Sequence, residues 1–327
     1  MKAFAYVSPT TAQDAIAALK AGGVVRPLAG GQDILARQKD YIDPADTLVN
    51  VKQALDATVT PVAGGLKIGA AMTIDALSTN AQVRRMYPAL AEAAAAVGSP
   101  QIRHQGTVGG NLNQRPRCWY FRQEEFVCFK KGGNRCFSVD GENQYNAIFG
   151  NDGPSKIVHP SSLAVPCVAY GARFVVEGPG GTREIPAAEY FTLPTMQNVK
   201  KENVLGDDEL LTHVILPAPG SIRSGHYEVR FKESRDWPMA FATVVVTTKG
   251  GVVDSARVVL GAVAPTPWRS DAAERALVGK PLNQATADAV AEAAVQGARP
   301  LSQNAYKIQI TKTAVARAVM EAAGRRS

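Results

Sequence analysis

Two pairs of adjacent glycines limit what this chain can become. The first stands in L-A-G-G-Q-D-I-L, Leu28 to Leu35, directly after a short apolar run, Val24 to Leu28, that reads as a strand. The second stands in G-T-V-G-G-N-L, Gly106 to Leu112. Adjacent glycines let the backbone take positive φ and let a ligand come close to the main chain. Consecutive N–H groups can then face an anion such as a pyrophosphate. Neither segment is a G-x-G-x-x-G or a Walker loop. A single glycine pair after a strand is most often only a tight turn. Two such loops, each with polar neighbours (Gln32, Thr107, Asn111), strengthen the reading of a phosphate cradle.

The surrounding pattern is α/β in short pieces. Thr10 or Thr11 can cap a helix carrying Ala15, Ile16 and Leu19, which Gly22-Gly23 ends. Asp33 to Gln38 reads as a helical turn and Thr47 to Val51 as a strand. Val59 to Ala70 reads as a hairpin around Gly64-Gly65. Helices are expected over Ile74 to Tyr87 and Pro88 to Val97, with a break at Gly98-Ser99-Pro100. Residues 113–155 are polar, aromatic and cysteine-bearing; a loop of that length inside a compact domain is often functional. Leu163 to Ala172 reads as helix, Phe174 to Ile185 as a hairpin, and Leu210 to Leu216 as a strand closed by Pro217. Pro217-Ala218-Pro219-Gly220 marks a boundary between a first domain, 1–217, and a second, 221–327. The second has strands at Tyr227 to Lys232, Ala242 to Thr248 and Val252 to Val259, then a helical tail that includes Ala285 to Ala298. Strands followed by helices predict an α+β domain.

Composition excludes several classes. The 327 residues are 46% hydrophobic and 20% charged, which fits a globular protein and not a disordered one. The net charge is +7, yet Lys and Arg never run longer than two, and no zinc-finger, RNA-recognition or basic-zipper pattern is present. Nucleic acid is therefore not the expected partner. No segment approaches the ~20 apolar residues of a membrane span. M-K-A-F-A-Y-V-S-P lacks a secretory apolar core and a twin arginine, so a cytoplasmic location is expected unless a signal-bearing partner exports the chain.

Three of the four cysteines, Cys118, Cys128 and Cys136, fall in the long loop. Thiolates suit zinc or an iron–sulfur cluster. The intervals, nine and then seven residues, match neither a zinc C-x-x-C knuckle nor the common ferredoxin patterns. A [4Fe-4S] cluster, zinc and plain reduced thiols all stay open. Arg117, Lys130, Lys131 and Arg135 nearby would offset a cluster's negative charge, or form a solvated basic surface. Trp119, Tyr120 and Phe121 can cover the loop or form an interface. Cys167 reads as core, His104 and His159 as loop histidines, and Arg235-Asp236-Trp237 as an ion pair beside a packed ring. No Ser-His-Asp order or H-E-x-x-H motif appears, so no catalytic side chain is assigned.

Five segments, in order, resemble the FAD-binding medium subunits of the xanthine dehydrogenase family of molybdenum hydroxylases. They are A-G-G-Q-D-I-L from Ala29, I-G-A-A-M-T-I-D-A-L from Ile68, T-V-G-G-N-L from Thr107, D-E-L-L-T-H-V-I-L-P from Asp208 and L-G-A-V-A-P-T-P from Leu260. The resemblance implies an α+β fold: a two-part FAD-binding domain of the vanillyl-alcohol-oxidase/PCMH type, then a small C-terminal α+β domain of the CO-dehydrogenase flavoprotein type. It implies that FAD lies over both glycine loops, against Leu28, Ala29, Gly30, Gly31, Gln32, Asp33 and Ile34, and against Thr107, Val108, Gly109, Gly110 and Asn111. Leu211 would pack on the flavin, and Lys232 matches a lysine that contacts FAD. Ser162, in H-P-S-S, stands where the family often has Asp.

R-C-W-Y-F-R, the C-x7-C pair and H-P-S are similar to the branch of 4-hydroxybenzoyl-CoA reductase and periplasmic aldehyde oxidoreductase flavoproteins. In that branch the loop carries an extra [4Fe-4S] cluster, which implies Cys118, Cys128 and Cys136 as ligands; the fourth position falls on Ser155, not on a cysteine. The family's partners would be a large molybdopterin subunit and a small subunit with two [2Fe-2S] clusters, as a dimer of heterotrimers. Electrons would pass from those clusters through FAD to an external acceptor. A stand-alone flavin oxidase of the same fold is the alternative, and its substrate domain would be larger than the C-terminal one here.

Overall fold

Short apolar strands and side-chain-capped helices build three sheets in the computed structural model, which describes residues 1–232 and 235–324. The first sheet is parallel, in the order β1-β3-β2: β1 (Ala5–Val7), β2 (Val25–Leu28) and β3 (Thr47–Asn50). Between β1 and β2 lies α1 (Ala12–Leu19). Its cap is Thr11, whose side chain accepts from the Asp14 N–H, and it buries Ala15, Ile16 and Leu19. The helix α2 (Ile34–Lys39) follows the first glycine pair.

The second sheet is antiparallel, in the order β4-β5-β8-β6-β7: β4 (Val59–Val62), β5 (Gly65–Gly69), β6 (Arg173–Gly178), β7 (Gly181–Pro186) and β8 (Leu210–Leu216). Helices α3 (Ile74–Thr79), α4 (Ala81–Met86), α5 (Pro88–Ala96), α6 (Pro100–Gln105), α7 (Val108–Leu112), α8 (Ala164–Ala169) and α9 (Ala187–Tyr190) complete the unit. Leu66, Ile68, Leu77, Tyr87, Leu90 and Phe174 fill its core. The single helix expected over Ile74 to Tyr87 is two, because the Asn80 side chain accepts from the N–H groups of Gln82 and Val83 and starts α4 afresh. Pro100, read as a breaker, instead opens α6 behind the cap Ser99. Proline suits a first helical turn, where its missing N–H leaves no bond unmade.

The third sheet, in the order β12-β11-β10-β9, is antiparallel: β9 (Ile222–Arg230), β10 (Pro238–Lys249), β11 (Val252–Gly261) and β12 (Trp268–Arg269). Its helices are α10 (Asp271–Leu277), α11 (Gln284–Ala294) and α12 (Tyr306–Ala322). At Gly225 the β9 backbone touches α12: an added Cβ would lie 2.2 Å from the Ala318 carbonyl oxygen, so only glycine fits.

The long loop holds one regular piece, a helical turn at Phe129–Lys131. Its second half crosses into the C-terminal unit. Ile148 and Phe149 enter that unit's core, and their N–H groups both donate to the Val263 carbonyl. Lys307, 1% exposed, donates to the carbonyls of Tyr145, Asn146 and Ala262 at 3.1, 3.0 and 2.6 Å. Loop 113–155 is thus shared between the two units. Replacing Lys307 by Met strips these buried acceptors of that donor, at about 1–3 kcal/mol each. We predict that thermal unfolding of K307M shows a Tm several degrees lower; an unchanged Tm would contradict this role.

Candidate cofactor-binding cleft

The two glycine loops, about eighty residues apart in sequence, meet backbone to backbone. A Cβ at Gly30 would fall 2.3 Å from the Gln105 carbonyl oxygen and 2.8 Å from the Gly106 Cα. A Cβ at Gly110 would reach the Ala29 Cβ at 4.0 Å. Gly31 takes φ +76°, which glycine adopts without strain. Thr107 caps α7, its Oγ1 accepting from the Gly110 N–H at 3.1 Å. The N–H groups of Val108 and Gly109 donate to the carbonyls of Met72 and Ala70, and that of Asn111 to Thr107. The second loop's amides are therefore used within the protein. By contrast, the N–H groups of Gly30, Gly31 and Gln32 meet no backbone acceptor among the described residues.

Both loops open on a cleft of about 770 Å³, within the range of small-molecule and cofactor sites. Of the residues expected from the sequence, Ala29, Gly30, Gly31, Gln32, Asp33, Ile34, Thr107, Gly109, Gly110, Asn111, Ser162 and Leu211 line it. Leu28 instead packs beside Ile34, Ala45 and Leu48, and Val108 lies in the main core. Lys232 is exposed and is not among the lining residues; Arg230, two residues earlier, is. His104 is exposed near Asp75. Asn111 Oδ1 accepts from Ser161 Oγ at 2.6 Å, which holds the H-P-S-S turn under the second loop. His159, in the same turn, is pushed down to about 4 by burial and is neutral.

Cations outnumber carboxylates along one wall. Asp33 accepts from Arg37 Nε at 3.1 Å, from Arg122 at 2.6 Å and from Arg117. Asp43 pairs with Arg26 and Arg37, and Glu202 with Arg115 at 3.0 Å and Lys130 at 2.6 Å. Burial alone would raise the Asp33 carboxyl, but the guanidiniums of Arg117, Arg122 and Arg37 outweigh it and hold that carboxyl well below its ordinary value. Burial would likewise raise Glu202, and Arg115 and Lys130 pull it down. Six cations thus share three carboxylates, an arrangement that favours an anionic ligand. Arg117 also lies 4.6 Å over the Trp237 ring, which ties the long loop to the C-terminal unit. Sequence reading treated Arg117 and Lys130 as counter-charges to a cluster and did not find Arg37, Arg115 or Arg230. The R-P-R at Arg115 to Arg117 was the available signal.

The cysteine loop is organised differently. Cys128 is buried against Ile42 and Phe121, with Cys118 and Phe137 packed beside it. Burial raises the Cys118 thiol, opposed by hydrogen bonds from the N–H groups of Phe121 and Tyr120 and from Ser138. Cys136 faces a separate cavity of about 590 Å³ that neither other thiol lines. Ser155 is buried. Among the described residues no three His, Cys, Asp or Glu side chains converge to hold a metal ion. Tyr120 packs on Phe126 and Phe137, while Trp119 is exposed against Tyr145.

Asp33→Asn should cost roughly 3–5 kcal/mol, because the arginines lose their shared buried anion. The sign with pH follows from the lowered native pKa. The stabilisation is full above the unfolded value of 3.8 and is lost as pH falls through the native one. Urea unfolding at neutral pH should separate wild type from D33N, and the gap should close in acid; a gap independent of pH would contradict this.

Comparison with known proteins agrees with this geometry. A family model described as the FAD binding domain in molybdopterin dehydrogenase matches residues 2–219, and one described as the CO dehydrogenase flavoprotein C-terminal domain matches residues 226–322. The chain is 32% identical over 326 residues to the aldehyde oxidoreductase FAD-binding subunit PaoB of Escherichia coli K12, covering 98% of this chain and 99% of that one. It is 27% identical over 299 residues to the carbon monoxide dehydrogenase medium chain of Hydrogenophaga pseudoflava, covering 91% and 88%. Among solved structures, a chain of the carbon monoxide dehydrogenase of Hydrogenophaga pseudoflava superposes with a TM-score of 0.77 at 26% identity, covering 100% of this chain and 99% of that one. With the two glycine loops joined at one cation-lined cleft, the chain belongs to the family of FAD-binding subunits of molybdopterin dehydrogenases.

Proposed function

We propose that this chain is the FAD-carrying electron-transfer subunit of a molybdenum hydroxylase complex. One observation carries the reading: Gly30, Gly31 and Gln32, whose N–H groups meet no backbone acceptor among the described residues, line a cleft whose wall holds more cations than carboxylates. A pyrophosphate suits that place, because backbone donors and nearby guanidiniums both stabilise its charge. Asn111, Ser162 and Leu211 line the same cleft, and the apolar Leu211 would pack against the flavin. When bound, FAD supplies the redox chemistry: it takes up electrons singly and gives them up in pairs. The protein's own part is to hold the dinucleotide, exclude water and set the charge around it.

The partners in this reading are a large molybdopterin subunit and a small subunit with two [2Fe-2S] clusters, which deliver electrons to the cleft, in a dimer of heterotrimers. We divide the chain into a PCMH-type FAD-binding domain, 1–217, and a C-terminal domain, 221–327, with loop 113–155 fastening one to the other. No helix among the described residues is long and apolar enough to cross a membrane, and the four cysteines are free thiols, as a reducing cytoplasm favours.

The finer reading, a [4Fe-4S] cluster on Cys118, Cys128 and Cys136, draws support from the amide donors at Cys118. Against it stands Ser155, not a cysteine, at the fourth position, so no electron path is drawn through the loop.

Two measurements follow. Gly110 is exposed at the cleft, and a Cβ there meets the Thr107 Oγ1 at 3.0 Å and the Ala29 Cβ at 4.0 Å, so Gly110→Leu should fold after a small shift of the Thr107 side chain while blocking the space between the loops. We predict loss of at least tenfold in FAD content after gel filtration, with unchanged circular dichroism; full FAD retention would refute the cradle. Iron analysis of anaerobically purified chain should give well under one iron per chain, whereas about four would establish the cluster.

A further inference from the structure

Strand β9 sets three polar side chains on one face at alternate positions: His226, Glu228 and Arg230. All three are buried, with side chains 3%, 5% and 9% exposed. His226 Nδ1 lies 2.8 Å from Thr243 Oγ1 on β10, and its Nε2 lies 3.2 Å from Glu228 Oε1. The other carboxylate oxygen of Glu228 accepts from Arg230 Nε at 2.9 Å and from Nη2. Arg230 Nη2 also donates to the Ala96 carbonyl at 2.5 Å, across the junction of the two domains. Nη1 takes part in none of these bonds. Arg230 is among the residues that line the cleft, as are Ala96, Val97 and Trp237.

Desolvating a carboxylate and a guanidinium is costly, and an apolar pair of the same volume would often be at least as stable. Such a row needs a reason beyond stability. Its geometry supplies one. Two of the three guanidinium nitrogens are fixed, by a carboxylate on one side and by a carbonyl of the other domain, so the cation cannot swing out of the cleft wall. Burial of the Arg230 side chain, 9% exposed, lowers the local polarity and strengthens its field.

We propose that Arg230 is a cofactor-facing cation that favours reduced over oxidised flavin, and that Glu228, itself braced by His226, is its positioning residue. This rests on the FAD reading above. Taking up two electrons and one proton turns FAD into FADH⁻, which adds one negative charge to the ring system. A fixed guanidinium stabilises that charge without reorganising, in the way preorganised donors stabilise developing anions. Glu228 also offsets part of the cation's field, so the two residues should act on the flavin with opposite sign.

The test is a dye-coupled potentiometric titration of the purified flavoprotein, followed by flavin absorbance, with FAD content and melting curves measured on the same samples. Arg230→Met should weaken reduced-state stabilisation about tenfold, which for a two-electron couple is a midpoint fall of about 30 mV. Arg230→Lys keeps the charge and should recover most of the shift. Glu228→Gln keeps the shape, removes the opposing charge and should move the midpoint upward. A merely structural role would not move R230M and E228Q in opposite directions. Midpoints equal to wild type in both R230M and E228Q, with FAD retained, would overturn the assignment of Arg230. If R230M fails to fold or to keep FAD, E228Q decides: an upward shift supports the assignment and an unchanged or lowered midpoint overturns it. Wild-type protein that binds no FAD would instead bring down the functional reading, and this inference with it.

Discussion

The contact on which the rest depends is between two stretches of main chain. Gly30 lies so close to the Gln105 carbonyl and to Gly106 that no side chain fits between them. That contact brings the end of β2 to the start of α7 and turns two ordinary glycine turns into the floor of one cleft. It also divides labour. The second loop uses its amides to anchor itself to Ala70 and Met72, while those of Gly30, Gly31 and Gln32 meet no backbone acceptor among the described residues. Rigidity comes from one loop and binding capacity from the other.

Electrostatics extend that division. Asp33 stands in the first loop, yet its carboxylate is occupied by three arginines, two of them from the long cysteine-bearing segment. Its charge serves to draw that segment over the cleft. Glu202 does the same for Arg115 and Lys130. Once these pairs form, cations remain in excess beside the free amides, which is the condition an anionic cofactor needs. Arg117 stacked on Trp237 and the buried Lys307 then fasten the same segment to the C-terminal unit. Loop 113–155 is thus a strap between two domains, held by arginine, lysine and asparagine side chains.

Much of this was legible in the sequence, for identifiable reasons. Hairpins at Val59 to Ala70 and Phe174 to Ile185 announce themselves by alternation and glycine turns, and the structure places them there. The glycine pairs were read as two phosphate-cradle turns from their polar neighbours, and as one FAD site only through the family resemblance. What stayed hidden was non-local. Nothing in the spacing says that Asp33 meets Arg117 and Arg122, or that the Gly109 amide is already taken by Ala70. Arg230 escaped notice because alternate polar residues on a strand ordinarily face solvent, and only the bonds of His226 to Thr243 and of Arg230 to the Ala96 carbonyl show that this face is packed. The three cysteines suggested a metal centre by their crowding in sequence, but among the described residues no three His, Cys, Asp or Glu side chains form a site for a metal ion.

A crystal structure of the purified, FAD-loaded protein tests the central claim most directly. The account predicts the cofactor's pyrophosphate within hydrogen-bonding distance of the N–H groups of Gly30, Gly31 and Gln32, between the two loops. A pyrophosphate bound elsewhere, or a cleft that excludes the cofactor, would contradict it.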